Sequence, residues 1–283
     1  MMKQLAWLVV LSGSVVAQEA PQETKFGYSY FTFGLENITY QENFPATQSE
    51  VTVTNLVLNS GGLYRINDQF DFSIDALATF SPSSADEEWH QGGQLMQTNQ
   101  FEYTKASTTV LLHYKWQNDW RLVAGPAFSY QTYKRFALRG ENGYVNPVFS
   151  EDSTWEEKST DIFLDAGIAY DSGHLYGASP WRVSGRWTAG IPVWSVTENS
   201  RFANVQFDDF GFRTSAEASL SYRIMPGLSL AWYVMMGYEK RFESDPQNVM
   251  IKDAQGVPQQ RQAWLPDADT WTLSTGLQAL WNF

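Results

Sequence analysis

The residues of this chain that could do chemistry are three histidines and a surplus of carboxylates, because cysteine is absent. No thiolate nucleophile, thiolate metal site or disulfide can form. A catalytic nucleophile needs a base within hydrogen-bond reach. His90 lies in Asp86-Glu87-Glu88-Trp89-His90 without an Asp-x-His or Asp-x-Asp partner, and His113 and His174 stand in no such pattern. The sequence therefore names no catalytic, cofactor-binding or metal-ligating residue. The acidic runs are Asp86-Glu87-Glu88, Glu151-Asp152, Glu156-Glu157 and Asp208-Asp209, with Asp267 and Asp269. Hard divalent cations take clustered oxygens, but no EF-hand-like spacing is present. These runs read as solvated loops, with divalent-cation capture as the functional alternative.

A second set of charges sits at regular positions inside alternating segments: Asp75, Asp165, Arg182, Arg186, Glu217 and Arg223. Phe70-Phe72-Ile74-Ala76-Ala78-Phe80 alternates against Asp71, Ser73, Asp75 and Thr79. Trp181-Val183-Trp187-Ala189-Ile191 alternates against Arg182, Ser184, Arg186 and Thr188. Period two places one set on each face of a strand. If the apolar face is buried in an apolar medium, these six charges line the opposite side. Asp165 and Arg186 are each five residues from the connection between their strands, so they are expected to be cross-strand partners.

The elements that must position these charges are ten strands, at about 25–40, 50–65, 70–81, 101–116, 120–134, 159–170, 181–194, 211–224, 228–242 and 270–283, with twelve as the alternative count. Tight turns at 66–69, 117–119 and 225–227 and a longer connection at 171–180 alternate with long polar loops at about 41–49, 82–100, 135–158, 195–210 and 243–269. On the apolar phase aromatics recur ten residues apart: Phe70 and Phe80, Trp120 and Tyr130, Phe212 and Tyr222, Trp271 and Trp281. Ten residues at ~3.3 Å, tilted by ~40°, rise about 25 Å, the height of a lipid-facing band between two aromatic girdles. Tyr170 and Trp181 join the girdle at the short-turn end. Three places read irregularly. The first strand carries Phe26, Tyr28 and Tyr30 on one face and Phe31, Phe33 and Leu35 on the other. Pro126 lies inside a strand and predicts a bulge at Gly125-Pro126. Asn142-Gly143 is a type I′ hairpin signal, so the fifth and sixth strands are expected to continue as a ribbon.

The N-terminus has a basic start at Lys3, an apolar run from Leu5 to Leu11 and Val15-Val16-Ala17, the pattern of a secretory signal. Cleavage after Ala17 divides the chain into a signal at 1–17 and one domain at 18–283. The mature part then carries 18 basic and 31 acidic residues, since only Lys3 is lost. That balance excludes nucleic acid as a partner, because nothing supplies a phosphate-neutralising face. Mean hydropathy is negative although aromatics make up 16% of the chain, as alternation around a polar interior requires.

The signal Lys3–Ala17 and the terminal Trp281-Asn282-Phe283, preceded by alternating Leu277 and Ala279, give the chain a resemblance to the Gram-negative outer-membrane β-barrel class. The resemblance implies an all-β, antiparallel up-and-down transmembrane barrel with short periplasmic turns, long extracellular loops and both termini in the periplasm. It implies that Trp281 and Phe283 are read by the barrel assembly machinery, and that lipid and lipopolysaccharide are the surroundings. The resemblance names no subfamily; the first functional expectation is a narrow or gated small-solute, porin-like channel without cofactor. The alternative is a non-conducting structural, adhesive or partner-docking barrel acting through its acidic loops. Ten strands is also similar to the omptin surface proteases, which implies an acidic pair and a His-Asp pair at the extracellular rim. Only His90 lies on that side, so a surface enzyme of omptin or lipid-modifying type ranks third.

Overall fold

The computed structural model describes residues 27–44, 46–144, 153–173, 179–202, 205–252 and 258–282. The signal segment 1–17, His174, Glu151-Asp152 and Phe283 lie outside the described residues. Fourteen strands occur among those described: β1 (Gly27–Asn43), β2 (Thr47–Arg65), β3 (Phe70–Ser81), β4 (Ser84–Gln91), β5 (Gln94–Lys115), β6 (Trp120–Gly140), β7 (Trp155–Asp171), β8 (Trp181–Asn199), β9 (Gln206–Phe207), β10 (Gly211–Met225), β11 (Leu228–Arg241), β12 (Gln247–Lys252), β13 (Pro258–Ala263) and β14 (Asp267–Asn282).

Ten of them form a ring. β1 pairs with β2 on one side and with β14 on the other, and the antiparallel path runs β1-β14-β11-β10-β8-β7-β6-β5-β3-β2. Each ring strand therefore has two neighbours and no open edge, which is how an antiparallel sheet satisfies every backbone group without water. The other four strands sit at the long-loop end. β4 pairs with β2 and β5 above the shorter β3, β9 pairs with β8, and β12 and β13 form a separate hairpin.

The alternation decides which face is which. On β1 Phe31, Phe33 and Leu35 are exposed outward, while Thr32 and Glu36 are buried inward, so Tyr28 and Tyr30 also face the lumen. Cross-strand aromatic pairs ring the outer wall at both levels. Phe70–Tyr114, Trp120–Tyr170 and Trp181–Tyr222 lie near the short turns at 5.5, 5.1 and 4.8 Å, and Phe212–Tyr238 and Tyr238–Trp271 lie toward the loops at 5.7 and 4.4 Å.

Several expectations need correction. The region 82–100 is not a loop: β4 and the start of β5 occupy it, turning at Gly92-Gly93, both with positive φ. Outward residues there are polar, so the greasy alternation that marks a strand disappears although the ladder continues. No bulge forms at Gly125-Pro126. The β5–β6 pairing passes from Thr109↔Ala127 to Leu112↔Ala124 with its register kept, so the ladder lapses beside proline instead of shifting. Five register shifts lie elsewhere among the described strands, at Leu56/Val57, Trp89/His90, Thr98/Gln100, Ile162/Phe163 and Arg223/Met225, and two of them re-aim side chains. One extra residue at Val193 turns both Val193 and Trp194 outward, and a second at Ala137, with φ 52°, turns Leu138 inward. Asn142 and Gly143 both have positive φ and Tyr144 N–H donates to Glu141 O at 2.9 Å, a type I′ geometry. The extended ribbon below it joins β6 to β5, as far as Gln97↔Gly140, while pairing of β6 with β7 stops at Arg135↔Trp155.

Candidate functional site

The lumen is the site, and two different closures divide it. At the lower-middle level Arg186 of β8 bridges the ring. Its Nη1 lies 2.7 Å from Asp75 Oδ2 of β3 and its Nε 2.9 Å from Glu217 Oε1 of β10. Glu217 is directly opposite Arg186 in the β8–β10 register, whereas β3 stands across the ring, with three strands between on one side and five on the other. Tyr30 donates its hydroxyl to the second oxygen of Asp75. One guanidinium thus ties three strands together through the lumen, with hydrogen bonds of the charge-assisted kind.

Asp165 is inward and buried, but it does not meet Arg186. The expected cross-strand pair is wrong because the β7–β8 connection is asymmetric: Tyr170 pairs with Gly185, which sets Asp165 against Gly190 and Arg186 against Ala169. Asp165 takes Arg213 of β10 instead, through two bonds of 3.1 and 2.6 Å, and the guanidinium lies 4.1 Å from the Phe163 ring. The two lumen aspartates share a local device. Each faces a glycine on the next strand, Asp75 opposite Gly61 and Asp165 opposite Gly190. A Cβ at Gly190 would fall 2.0 Å from Asp165 Oδ1, and one at Gly61 would fall 2.9 Å from both Asp75 Oδ1 and Tyr30 Oη. Glycine here opens side-chain space for the carboxylate.

Below this level Arg182 binds Asp171 in bidentate fashion at 2.7 and 2.6 Å and covers the Tyr28 ring at 4.5 Å. Lys115 and Arg121 reach Asp71 at 2.7 and 3.4 Å. Arg223 is half-buried on the inward phase next to the short turn, where its N–H donates to Pro180 O at 2.8 Å. Of the girdle residues, Phe70, Phe80, Trp120, Tyr130, Tyr170, Trp181, Phe212, Tyr222 and Trp271 all stand on the outward phase, with Trp281.

The second closure fills the lumen toward the loops. Tyr40, Phe101, Tyr103 and Tyr133 pack there with Ile38, Val51 and Val53, all 5% exposed or less. Arg135 is inserted among them. Its guanidinium carbon lies 5.2–5.7 Å from the rings of Tyr40, Trp89, Phe101 and Trp155. It bonds Glu87 of β4 at 2.7 and 2.9 Å and Glu42 of β1 at 3.2 Å. Burial alone would lower the arginine pKa, and Glu42 and Glu87 reverse this and hold it well above its ordinary value. Sequence reading missed Arg135 because Glu87 lies in an apparent loop. Its signal is the inward phase that Arg135 shares with Gln131 and Tyr133.

Between and beside the closures lie three cavities. One of about 80 Å³ at the short-turn side and one of about 120 Å³ in the middle share Asp75, Arg186, Glu217 and Tyr233 as a common wall. A third of about 30 Å³ lies toward the loops and shares Glu239 with the middle one. The acidic runs divide by phase. Glu87 and Glu157 are buried and paired with arginines, whereas Glu156 meets Lys158 and Asp267 and Asp269 meet Lys240 on the outside. Among the described residues no three His, Cys, Asp or Glu are grouped to hold a metal ion. His90 contacts Glu88 at 3.1 Å on the outer wall, turned away from the lumen, and His113 is buried against Ser73 at 2.9 Å.

No protein-family model matches the chain, and no curated protein matches it. Solved structures do. The outer membrane protease OmpT from Escherichia coli is similar with a TM-score of 0.59 at 9% identity, over 94% of this chain and 99% of that chain. The beta domain of the Bordetella autotransporter Brka matches at 0.43 and 11%, over 92% and 100%. The outer membrane protein OprG from Pseudomonas aeruginosa matches at 0.35 and 11%, over 92% and 97%. At such identity the likeness to OmpT concerns architecture alone, and it agrees with the ring traced above: the chain has the fold of the Gram-negative outer-membrane β-barrels.

Proposed function

We propose that this protein is a sealed barrel of the Gram-negative outer membrane that acts through the strand extensions and loops at its long-loop end. The supporting observation is that an ionic bridge at Arg186 and an aromatic cluster around Arg135 occupy the lumen at two levels, in series. The protease activity of the compared barrel is not carried over, since His90 faces outward beside Glu88 and has no acidic partner in the lumen mouth. Single-channel recording on the refolded mature protein tests the proposal. The expected trace is flat. Regular openings of the wild type overturn it in favour of a narrow, gated small-solute channel. That second reading is favoured by the stacked cavities, which a moving Arg186 could connect.

Orientation and partners belong to the same proposal. Both termini lie in the periplasm, lipid and lipopolysaccharide contact the outward face, and the assembly machinery reads Trp281 and Phe283. Protease added to intact cells should cut within 82–100, 135–158 or 243–269 and spare 66–69, 117–119 and 225–227; the opposite pattern reverses the topology. Deleting Phe283 should lower the amount of folded, heat-modifiable protein. N-terminal sequencing of that protein should begin at Gln18.

A further inference from the structure

We propose that the middle lumen cavity is a binding site for one monovalent metal ion, held by Glu36. The cavity measures about 120 Å³, against the roughly 10–15 Å³ that a single water needs. Its charged walls pair off almost completely. Arg213 is taken by Asp165 at 2.6 Å, Arg186 is shared by Asp75 and Glu217 at 2.7 and 2.9 Å, and Lys105 Nζ lies 3.9 Å from Glu239. Glu36 is left over. It comes from β1, is 1% exposed, and accepts one bond at Oε2 from Ser274 at 2.9 Å. Its Oε1 is buried without a hydrogen-bond partner, and Glu36 is one of the residues that line the cavity. Five carboxylates therefore face three cationic side chains across this space.

A buried carboxylate oxygen without a partner is costly, and a bound cation relieves that cost in competition with a proton. The rest of the cavity wall offers neutral oxygens, from Asn59, Ser107, Thr109 and Thr272. One free carboxylate oxygen among hydroxyls suits an ion of single charge that keeps part of its water shell. A divalent ion takes several carboxylates, and no group of three is so arranged among the described residues. The site is independent of whether the barrel conducts, since it needs only the cavity wall.

Two measurements on the mature protein in detergent test it. Crystals soaked in a thallium(I) salt should show an anomalous peak in the middle cavity beside Glu36. Thermal unfolding at constant ionic strength should show a saturable rise in midpoint with potassium or sodium that N-methylglucamine, too large for the cavity, does not reproduce. Glu36→Gln should weaken the ion by about tenfold, as loss of one charged contact does. Lys105→Met should strengthen it, because Lys105 is the nearest competing cation. Absence of the thallium peak in intact wild-type crystals overturns the proposal. So does a midpoint that is the same in all three cations, or an unchanged response in a folded Glu36→Gln protein.

Discussion

The two closures of this lumen use the same ingredients in opposite proportions. Around Arg186 the charges dominate, cavities lie on both sides, and the side chains of Arg186, Asp75 and Glu217 are 14–27% exposed. Around Arg135 the aromatics dominate, and Arg135, Glu42 and Glu87 are 2% exposed or less. The first is a cross-link inside a partly wet lumen. The second is a hydrophobic core with an ion pair set into it. A charge beside water can be rehydrated when its partner leaves, but a charge inside an aromatic core cannot. The closures should therefore fail differently.

The largest effect is expected for Arg135→Ala. It removes the main cation of Glu42, which keeps Tyr40 and the more distant Arg241, and of Glu87, which keeps Asn99, and should remove about 3–5 kcal/mol, the loss typical of breaking a buried pair. Urea titration of the heat-modifiable form reads this; a loss below that of Arg186→Ala would erase the contrast. Arg186→Ala should destabilise less, about 1–3 kcal/mol, because the adjoining cavities can hydrate Asp75 and Glu217. Its conductance should stay at baseline while the aromatic plug holds, and should rise only when Phe101→Ala is added. Conductance in the single mutant alone would mean that the plug does not seal. Gly190→Ala comes next. It pushes Asp165 off Arg213 and should cost about 1–3 kcal/mol, as overpacking does, whereas the same change at Gly237, where the nearest atom to a new Cβ is 3.5 Å away, should be milder. Glu156→Gln, which breaks an exposed pair with Lys158 outside the lumen, should shift stability by less than about 1 kcal/mol. A larger shift there would show that the outer extension is not solvated in the way its exposure implies.

Much of the architecture was readable from residue order. Ten alternating segments became the ten ring strands, and the alternation of short and long connections survived, because period two between a lipid face and a polar interior is imposed locally on every strand. Strand ends toward the loops were not readable. Beyond the upper girdle the outward residues turn polar, as Lys134 and Glu156 do, and the ladder leaves no hydrophobic signature there. The inward direction of Asp75, Arg186 and Glu217 follows from alternation alone. Their partners do not. Asp165 pairs with Arg213 and not Arg186 because a four-residue offset in the β7–β8 register, invisible in a connection of unknown shape, moves it opposite Gly190. Arg186 finds Asp75 more than a hundred residues away because the ring closes. Phase belongs to the single strand, so outside β1 and the bulges at Val193 and Ala137 the sequence by itself determined which side each residue faces. Pairing across a lumen depends on register, bulges and closure summed over many strands, so only the tertiary structure decided which charges meet.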